Sequence, residues 1–455
     1  MLMEKSLAVQ RIHNPHATLL GYARTVRHLP SMPCAVWADV PDGSGRKGKR
    51  AEQGTRTRRE GMAIHFAKVA SQIPPNVFER MDRKVLAARG RGVDVIDLSK
   101  GNPDGFPEEF IREVTRAAVD DPLNARYTPF DGKPAFLEAA ANWYRNVHGV
   151  ELDANRGLFA VEGAVDGLAD LFSILLDEGD AVAFADPYYP SYHCMANMRG
   201  AHEVLLPAKA ELGWLPDLDA VPASVWDGVR LLVLNYPNNP TGAQAPLAFF
   251  EQAVKLAVEH DFVVVHDFAY AGLGVEEQQH SLLEVVAHTP AGSPERECTV
   301  EICSLSKMYA MAGWRAGFIA GSERILDVAK NFHYQMGSMI TSFVQDAGVA
   351  ALNSDQTCVG RQAAHYAGRR AIVADGLREL GYDLFDSQGG LYVWMHAPAG
   401  RSGEEVADDL LDKAGVAVLP GTCFGNVGAQ YVRLSLLQPD ERLAEAVKRI
   451  GTCCC

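Results

Sequence analysis

The sequence predicts an α/β protein. A large domain with a mostly parallel sheet covered by helices is followed by a smaller α+β domain. Three observations point there. From Met62 onward short apolar runs alternate with helical stretches, the pattern of strand–helix units in a sheet covered on both faces. Runs such as "VRLLVL" and "FVVVHD" are apolar throughout, as buried strands are. The chain has 455 residues, 47% of them hydrophobic, enough for a large core and two or three domains.

Taken in order, "VDVIDLSKGNPDGFP" reads as a strand entering a Gly/Pro turn, and "KPAFLEAAANWYRNVHG" as an amphipathic helix ending at Gly149. "GLFAVEGAVDGLADLFSILLDEGDAVAFADPYYPSY" reads strand, Gly turn, helix, strand. "VRLLVLNYPNNPTG" is a buried strand running into a turn, "FFEQAVKLAVEHDFVVVHDFAYAG" a helix then a strand, and "ECTVEICSLSK" another strand. From about residue 355 come the long helix "GRQAAHYAGRRAIVADGLRELG", then "GGLYVWMHAP", a helix, "GVAVLPG" and "QYVRLSLL". The expected division is a basic extension over 1–61, a segment over 62–120 packing with the small domain, a large domain over 121–350 and a small domain over 351–455.

Residues 1–61 carry eleven Lys/Arg against five Asp/Glu, so this segment is about +6 and the remainder about −20 of the net −14. "GSGRKGKRAEQGTRTRREG" is almost free of apolar residues and is expected to be disordered. It is compatible with an upstream start ahead of a natural Met62, with an unstructured tail, or with an Arg-rich transit segment of low Ser content. "MLMEKSLAVQRIHNPHA" lacks the continuous apolar core of a signal peptide. The acidic remainder argues against a general nucleic-acid binder, and no run of 18 apolar residues suggests a membrane span. Nine cysteines without a CxxC pair or zinc-like spacing point to reduced thiols in a cytoplasm.

Several expected strand ends carry polar residues, and ligands of open parallel sheets sit beyond those ends. Asp267 follows four apolar positions, with Tyr270 three residues on; Asn239 opens Asn-Pro-Thr-Gly; Ser304, Ser306 and Lys307 close "EICSLSK"; Gly163 precedes a helix whose N-terminus suits an anion. Singly each has an ordinary explanation: an N-cap for Asp267, a turn for Asn-Pro-Thr-Gly, a surface ion pair for Arg315. Together they suit pyridoxal 5'-phosphate. That cofactor takes a lysine amine as an imine, a carboxylate at its ring nitrogen, donors at its phenolate oxygen and a phosphate cup. Lys307 must then be a free amine part of the time, which burial near Arg315 favours.

"NNPTG", "HDFAYAG", "SLSKMYAMAGWRAGF" and "YVRLSL", in that order, resemble the signatures of class I aminotransferases of pyridoxal-phosphate fold type I, the aspartate aminotransferase-like superfamily, over roughly residues 75–450. The resemblance implies that Lys307 is the Schiff-base lysine, that Asp267 pairs with the pyridine nitrogen, and that Asn239 and Tyr270 bond the phenolate oxygen. Ser304 and Arg315, with Ser306 a weaker candidate, would bind the phosphate, joined by backbone N–H groups of Ala164 and Val165. Tyr189 would stack on the ring, and Tyr127 would reach the phosphate across a homodimer interface. Arg433 would hold the substrate α-carboxylate, and Gly101 would let the N-terminal segment approach the substrate.

Two positions depart from the pattern. Val165 stands where relatives carry a polar side chain, so the phosphate forgoes a hydrogen bond worth roughly 1.5–3 kcal/mol at most. Lys100 stands where relatives more often carry an uncharged residue. It either points to solvent or lines the substrate pocket as a cation, and in the second case the substrate has a second anionic group. No metal site is expected.

The resemblance implies amino-group transfer between an amino acid and a 2-oxo acid. The same cofactor residues also serve β- or γ-elimination, γ-substitution, cyclisation on S-adenosylmethionine and carbon–carbon bond formation. A transcription regulator with an aminotransferase-like sensor is disfavoured, because the 61 to 75 residues ahead of the domain lack winged-helix periodicity. In "NFHYQMGSMITSF", residues 331–343, His333 and Tyr334 are pocket candidates, though a packed helix explains them equally.

Overall fold

The computed structural model describes residues 64–274, 279–336 and 339–453. The expectations for 1–61 lie outside the described residues.

Strand β1 (Ile96–Asp97) lies apart from the main sheet. That sheet has eight strands: β2 (Leu158–Val161), β3 (Ala181–Asp186), β4 (His202–Lys209), β5 (Leu215–Pro216), β6 (Val229–Leu234), β7 (Val263–Phe268), β8 (Thr299–Ser304) and β9 (Gly317–Gly321). Their spatial order is β2-β9-β8-β7-β6-β3-β4-β5. From β8 through β4 every neighbouring pair is parallel, while β9 runs antiparallel between β2 and β8 and β5 is antiparallel on the far edge. The carboxyl ends of β2, β3, β6, β7 and β8 therefore share one edge of the sheet, where α/β proteins hold their ligands.

Strands β4, β5 and β9 were not expected from the sequence. β4 contains Pro207, and β9 is a five-residue run bounded by Gly317 and Gly321, which read as turns. Gly317 is required by close packing: a Cβ there would lie 2.6 Å from the Cys303 carbonyl oxygen of the neighbouring strand.

Side chains alternate across the sheet. Val161, Leu231, Val233, Val265, Ile302 and Ile319 pack on one face; Leu232, Leu234, Val264, Phe268 and Cys303 pack on the other. The first face is covered by a helix, Ala164–Leu175, and by Pro190–Arg199. On the opposite face His266 and Glu301 are fully buried neighbours on β7 and β8. The Glu301 carboxylate accepts from Tyr144 Oη (2.8 Å), Ser281 Oγ (2.7 Å) and the Leu282 N–H (2.8 Å), and it meets His266 Nδ1 at 2.7 Å. The other imidazole nitrogen lies 3.0 Å from the Tyr236 carbonyl. Four partners on one carboxylate make its burial tolerable, and they tie β7 to the turn that follows β6.

Four helices matter to the site or its approaches: α1 (Val77–Gly90), α2 (Glu109–Asp120), α3 (Pro134–His148) and α4 (Ala164–Leu175). Asn76 caps α1 by accepting from the N–H groups of Phe78 and Glu79. As expected, α3 ends at Gly149, whose φ of +67° suits glycine.

Beyond the sheet come the long helix Thr357–Glu379 and four strands, β10 (Tyr392–His396), β11 (Val416–Ala417), β12 (Leu419–Pro420) and β13 (Tyr431–Ser435). β10, β13 and β12 form an antiparallel sheet, whereas β11 pairs in parallel with β1. "GVAVLPG" thus makes two short strands with different partners, not one. Ile96 and Leu98 share a buried cluster with Leu377, Tyr392, Val418, Leu434, Leu443 and Ile450. The N-terminal segment is anchored on the C-terminal elements, and this brings Ser99, Lys100 and Gly101 to the edge of the large sheet. Among the described residues no helix is long and apolar enough to cross a membrane.

Candidate active site

Beyond the carboxyl ends of the parallel strands lies a cavity of about 430 Å³, within the range of small-molecule sites. Its walls include Lys100, Gly101, Ala164, Val165, Tyr189, Asn239, Asp267, Tyr270, Ser304, Ser306, Lys307, Arg315 and Arg433. All these sequence candidates therefore meet in one place. Tyr127 does not: it is 93% exposed and is not among the cavity residues. His333 is also elsewhere, buried with its Nδ1 2.7 Å from Asp170 Oδ2, and Tyr334 packs its ring on Phe130.

Asp267 sits near the end of β7, and strand alternation turns it toward α4 and Tyr192. Tyr192 Oη donates to its Oδ2 at 2.7 Å, while the buried Oδ1 has no hydrogen-bond partner among the described residues. Burial raises the carboxyl pKa, opposed by the Tyr192 bond, the nearby His266 and the Ala269 N–H. An N–H⁺ donor at Oδ1 would complete this group.

Asn235, just past β6, donates through Nδ2 to the Asp267 carbonyl (2.7 Å) and accepts the Asn239 N–H through Oδ1 (2.9 Å). Asn239 Oδ1 in turn accepts from Arg433 Nη1 at 2.8 Å. Guanidinium has no acceptor, so the amide oxygen must face it, and Asn239 Nδ2 is left as a donor. Tyr270 Oη lies 3.1 Å from Tyr392 Oη, and burial pushes its phenol pKa well above the usual value.

Gly163 caps α4 with φ +96°, and a Cβ there would come within 2.6 Å of Arg315 Nη2. Glycine therefore lets a guanidinium approach the start of the helix, where the first N–H groups precede the helix's own hydrogen-bond ladder. Ser304 ends β8 and caps the turn carrying Lys307, its Oγ 2.9 Å from Ser306 Oγ. These amides, hydroxyls and one arginine are a donor set of the kind that suits an anion, a candidate anion cradle. Val165, at the start of α4, adds only its amide.

Lys307 donates from Nζ to the Gly101 carbonyl. Burial, aided by Arg433 and Arg315, lowers its pKa to about 8. Arg433 on β13 is fully buried; Nη2 donates to the Ser99 carbonyl (2.7 Å), and Nε has no partner among the described residues. Its Cζ lies 4.0 Å from the Tyr392 ring centroid and 4.9 Å from that of Phe424. No carboxylate pairs with it among the described residues. Lys100 is half-exposed, with its ammonium 2.8 Å from Asp82 Oδ1.

The orphaned Asp267 oxygen, the amine, the donors of Asn239 and Tyr270 and the anion cradle fit a phosphorylated pyridine aldehyde. Sequence reasoning missed Tyr192, Asn235, Tyr392 and Phe78. "DPYYPSY" and "LNYPNNP" contain the first two and gave a usable signal; Tyr392 and Phe78 looked like ordinary core residues.

The lowered Lys307 pKa makes a stability prediction. Between about pH 8 and 10.5 the unfolded chain binds more protons at this site than the folded one, so stability rises with pH there. Below pH 8 the buried charge costs stability. Cofactor-free Lys307→Met is expected to be more stable than the parent at pH 7, by about 3 kcal/mol, with the gap closing toward pH 10.5. Urea unfolding at both pH values measures it; a gap absent at pH 7, or one widening with pH, contradicts the account.

Comparison with known proteins agrees with this chemistry. The family model for aminotransferase class I and II matches residues 93–450. An L-glutamine–4-(methylsulfanyl)-2-oxobutanoate aminotransferase of Bacillus subtilis is 37% identical over 86% of this chain and 96% of its own length. An LL-diaminopimelate aminotransferase of Desulforudis audaxviator is 37% identical over 86% of this chain and 98% of its own. Among solved structures, a Thermus thermophilus aspartate aminotransferase mutant is similar with a TM-score of 0.79 and 30% identity, covering 86% of this chain and 100% of that one. With its signatures, sheet and cavity in agreement, the chain belongs to the class I and II aminotransferases, pyridoxal-phosphate enzymes that move an amino group between an amino acid and a 2-oxo acid.

Proposed function

We propose that this cavity is the catalytic centre, with Lys307, Asp267 and Tyr270 carrying the chemistry and Arg433 holding the substrate's α-carboxylate. The observation that carries this is Arg433: a fully buried guanidinium, braced by Asn239 and the Ser99 carbonyl, with no carboxylate partner among the described residues. A buried cation so placed favours an anionic ligand.

Pyridoxal phosphate, when bound, supplies an aldehyde that takes up amino groups and a ring that accepts the electron pair released at the amino acid's α-carbon. The chain's residues do the rest. Asp267 Oδ1 would hold the ring N–H, with Tyr192 keeping Oδ2 occupied. Asn239 Nδ2 and Tyr270 Oη would donate to the phenolate oxygen, and Tyr189 would pack against the ring. Ser304, Ser306, Arg315 and the amides of Ala164 and Val165 would hold the phosphate. Lys307, whose pKa near 8 leaves a usable fraction of free amine at neutral pH, anchors the cofactor and moves a proton at the α-carbon. Gly101 suits the close approach of its carbonyl to Lys307, since a Cβ there would collide with Tyr392 Oη.

The enzyme is also proposed to be a homodimer, with Tyr127 reaching a phosphate site in the second copy. Phe106, Leu123, Tyr127 and Phe130 are 82%, 60%, 93% and 48% exposed within one stretch of chain, a cost that a partner's surface would relieve. Sedimentation is expected to give a dimer at micromolar concentration; a monomer contradicts this.

The relatives named for L-glutamine with 4-(methylsulfanyl)-2-oxobutanoate and for LL-diaminopimelate supply the first substrates to assay. Arg433→Lys keeps the charge and loses the planar fork. With charge-assisted hydrogen bonds worth about 1.5–3 kcal/mol, KM for the amino acid is expected to rise roughly 10- to 150-fold. An unchanged KM contradicts the assignment.

A further inference from the structure

We propose that Asp82 and Lys100 set the side-chain specificity: together they reject a substrate with a distal carboxylate and accept one whose far end carries no net negative charge. The proposal deepens the function above and rests on Arg433 holding the α-carboxylate.

Phe78 and Asp82 are four residues apart on α1, so they share a face, and both line the cavity. The Phe78 ring lies 6.0 Å from Arg433 Cζ and 6.4 Å from the Tyr189 ring. A substrate held at Arg433 thus meets an apolar wall first. Asp82 stands one helical turn, about 6 Å, farther along that wall.

Lys100 comes from the other side, between Ser99, whose carbonyl accepts from Arg433, and Gly101, whose carbonyl accepts from Lys307. Its ammonium faces two carboxylates, Asp82 Oδ1 at 2.8 Å and Asp97 Oδ2 at 3.9 Å. Asp97 is buried and fixed, its Oδ1 accepting from the Ser99 N–H (3.1 Å) and Oγ (2.6 Å). One cation against two anions leaves this rim negative. The other cations lining the cavity are Lys307, at the Gly101 carbonyl, Arg315, at the anion cradle, and Arg433. Among the described residues lining the cavity of one copy, no cation is therefore free for a second carboxylate. An incoming distal carboxylate would have to displace Asp82 to reach Lys100, whereas an amide, a thioether or a zwitterionic end need not.

The pair is half-exposed, at 53% and 44% for the two side chains, so its effect on any one substrate is modest. Glutamine and glutamate, nearly identical in shape, isolate the charge. The holoenzyme is expected to have a higher kcat/KM for L-glutamine than for L-glutamate. Asp82→Asn, which frees Lys100, is expected to move the ratio toward glutamate by about fivefold. Adding Lys100→Gln to that variant is expected to abolish the shift. An enzyme that prefers glutamate or takes neither, or an Asp82→Asn variant with an unmoved ratio, overturns the proposal. These outcomes are separate from the Arg433→Lys result: an unchanged KM there would remove the α-carboxylate anchor itself.

Discussion

The site depends on one electrostatic constraint: a partly buried cation, Lys307, and a fully buried one, Arg433, share a cavity with a buried carboxylate, Asp267, and neither cation is paired with a side-chain acid among the described residues. Lys307 has a carbonyl, Arg433 has a carbonyl and an amide oxygen, and Asp267 has one oxygen held by Tyr192 and one left over. Each group is held well enough to stay folded and poorly enough to favour a ligand of opposite charge. On the function proposed above, a cofactor would bring the cationic ring nitrogen and the electrophile for the amine, and a substrate would bring the carboxylate for the guanidinium.

The constraint explains the architecture around it. Asp267, Asn235 and Ser304 come from neighbouring parallel strands, whose common direction puts their ends together. Arg433 lies on β13 of the C-terminal sheet and Ser99 in the N-terminal segment, which is joined to the C-terminal elements by the β1–β11 pairing and by one buried cluster. Asn239 joins these groups, since its backbone is fixed by Asn235 and its side chain by Arg433. Behind β7 the His266–Glu301 pair ties the Asp267 strand to the Tyr236 carbonyl, and so to the turn carrying Asn239.

Much of this was legible in the sequence where chemistry and strand ends coincide. Lys307, Asp267, Asn239, Tyr270 and Ser304 follow apolar runs in compact motifs, and the cavity gathers them with Arg433. Tyr392 was not legible, because a buried tyrosine is a common core residue; Tyr192 sits in the signal-bearing "DPYYPSY", but only the fold shows that it faces Asp267. The partner of Lys100 was hidden for another reason. Asp82 is distant in sequence and lies on a helix whose inward face is decided by packing. Strands β4 and β9 were missed because a proline and two glycines outweighed their apolar residues, although Gly317 is needed for the close approach of Cys303.

The central claim is that Lys307 is the amine that carries the cofactor. Borohydride reduction of the pyridoxal-phosphate-loaded enzyme, followed by peptide mass mapping, measures this directly. The account predicts that the cofactor is fixed to the peptide containing Lys307 and to no other. Label on Lys100 or Lys330, or none on Lys307, would contradict it.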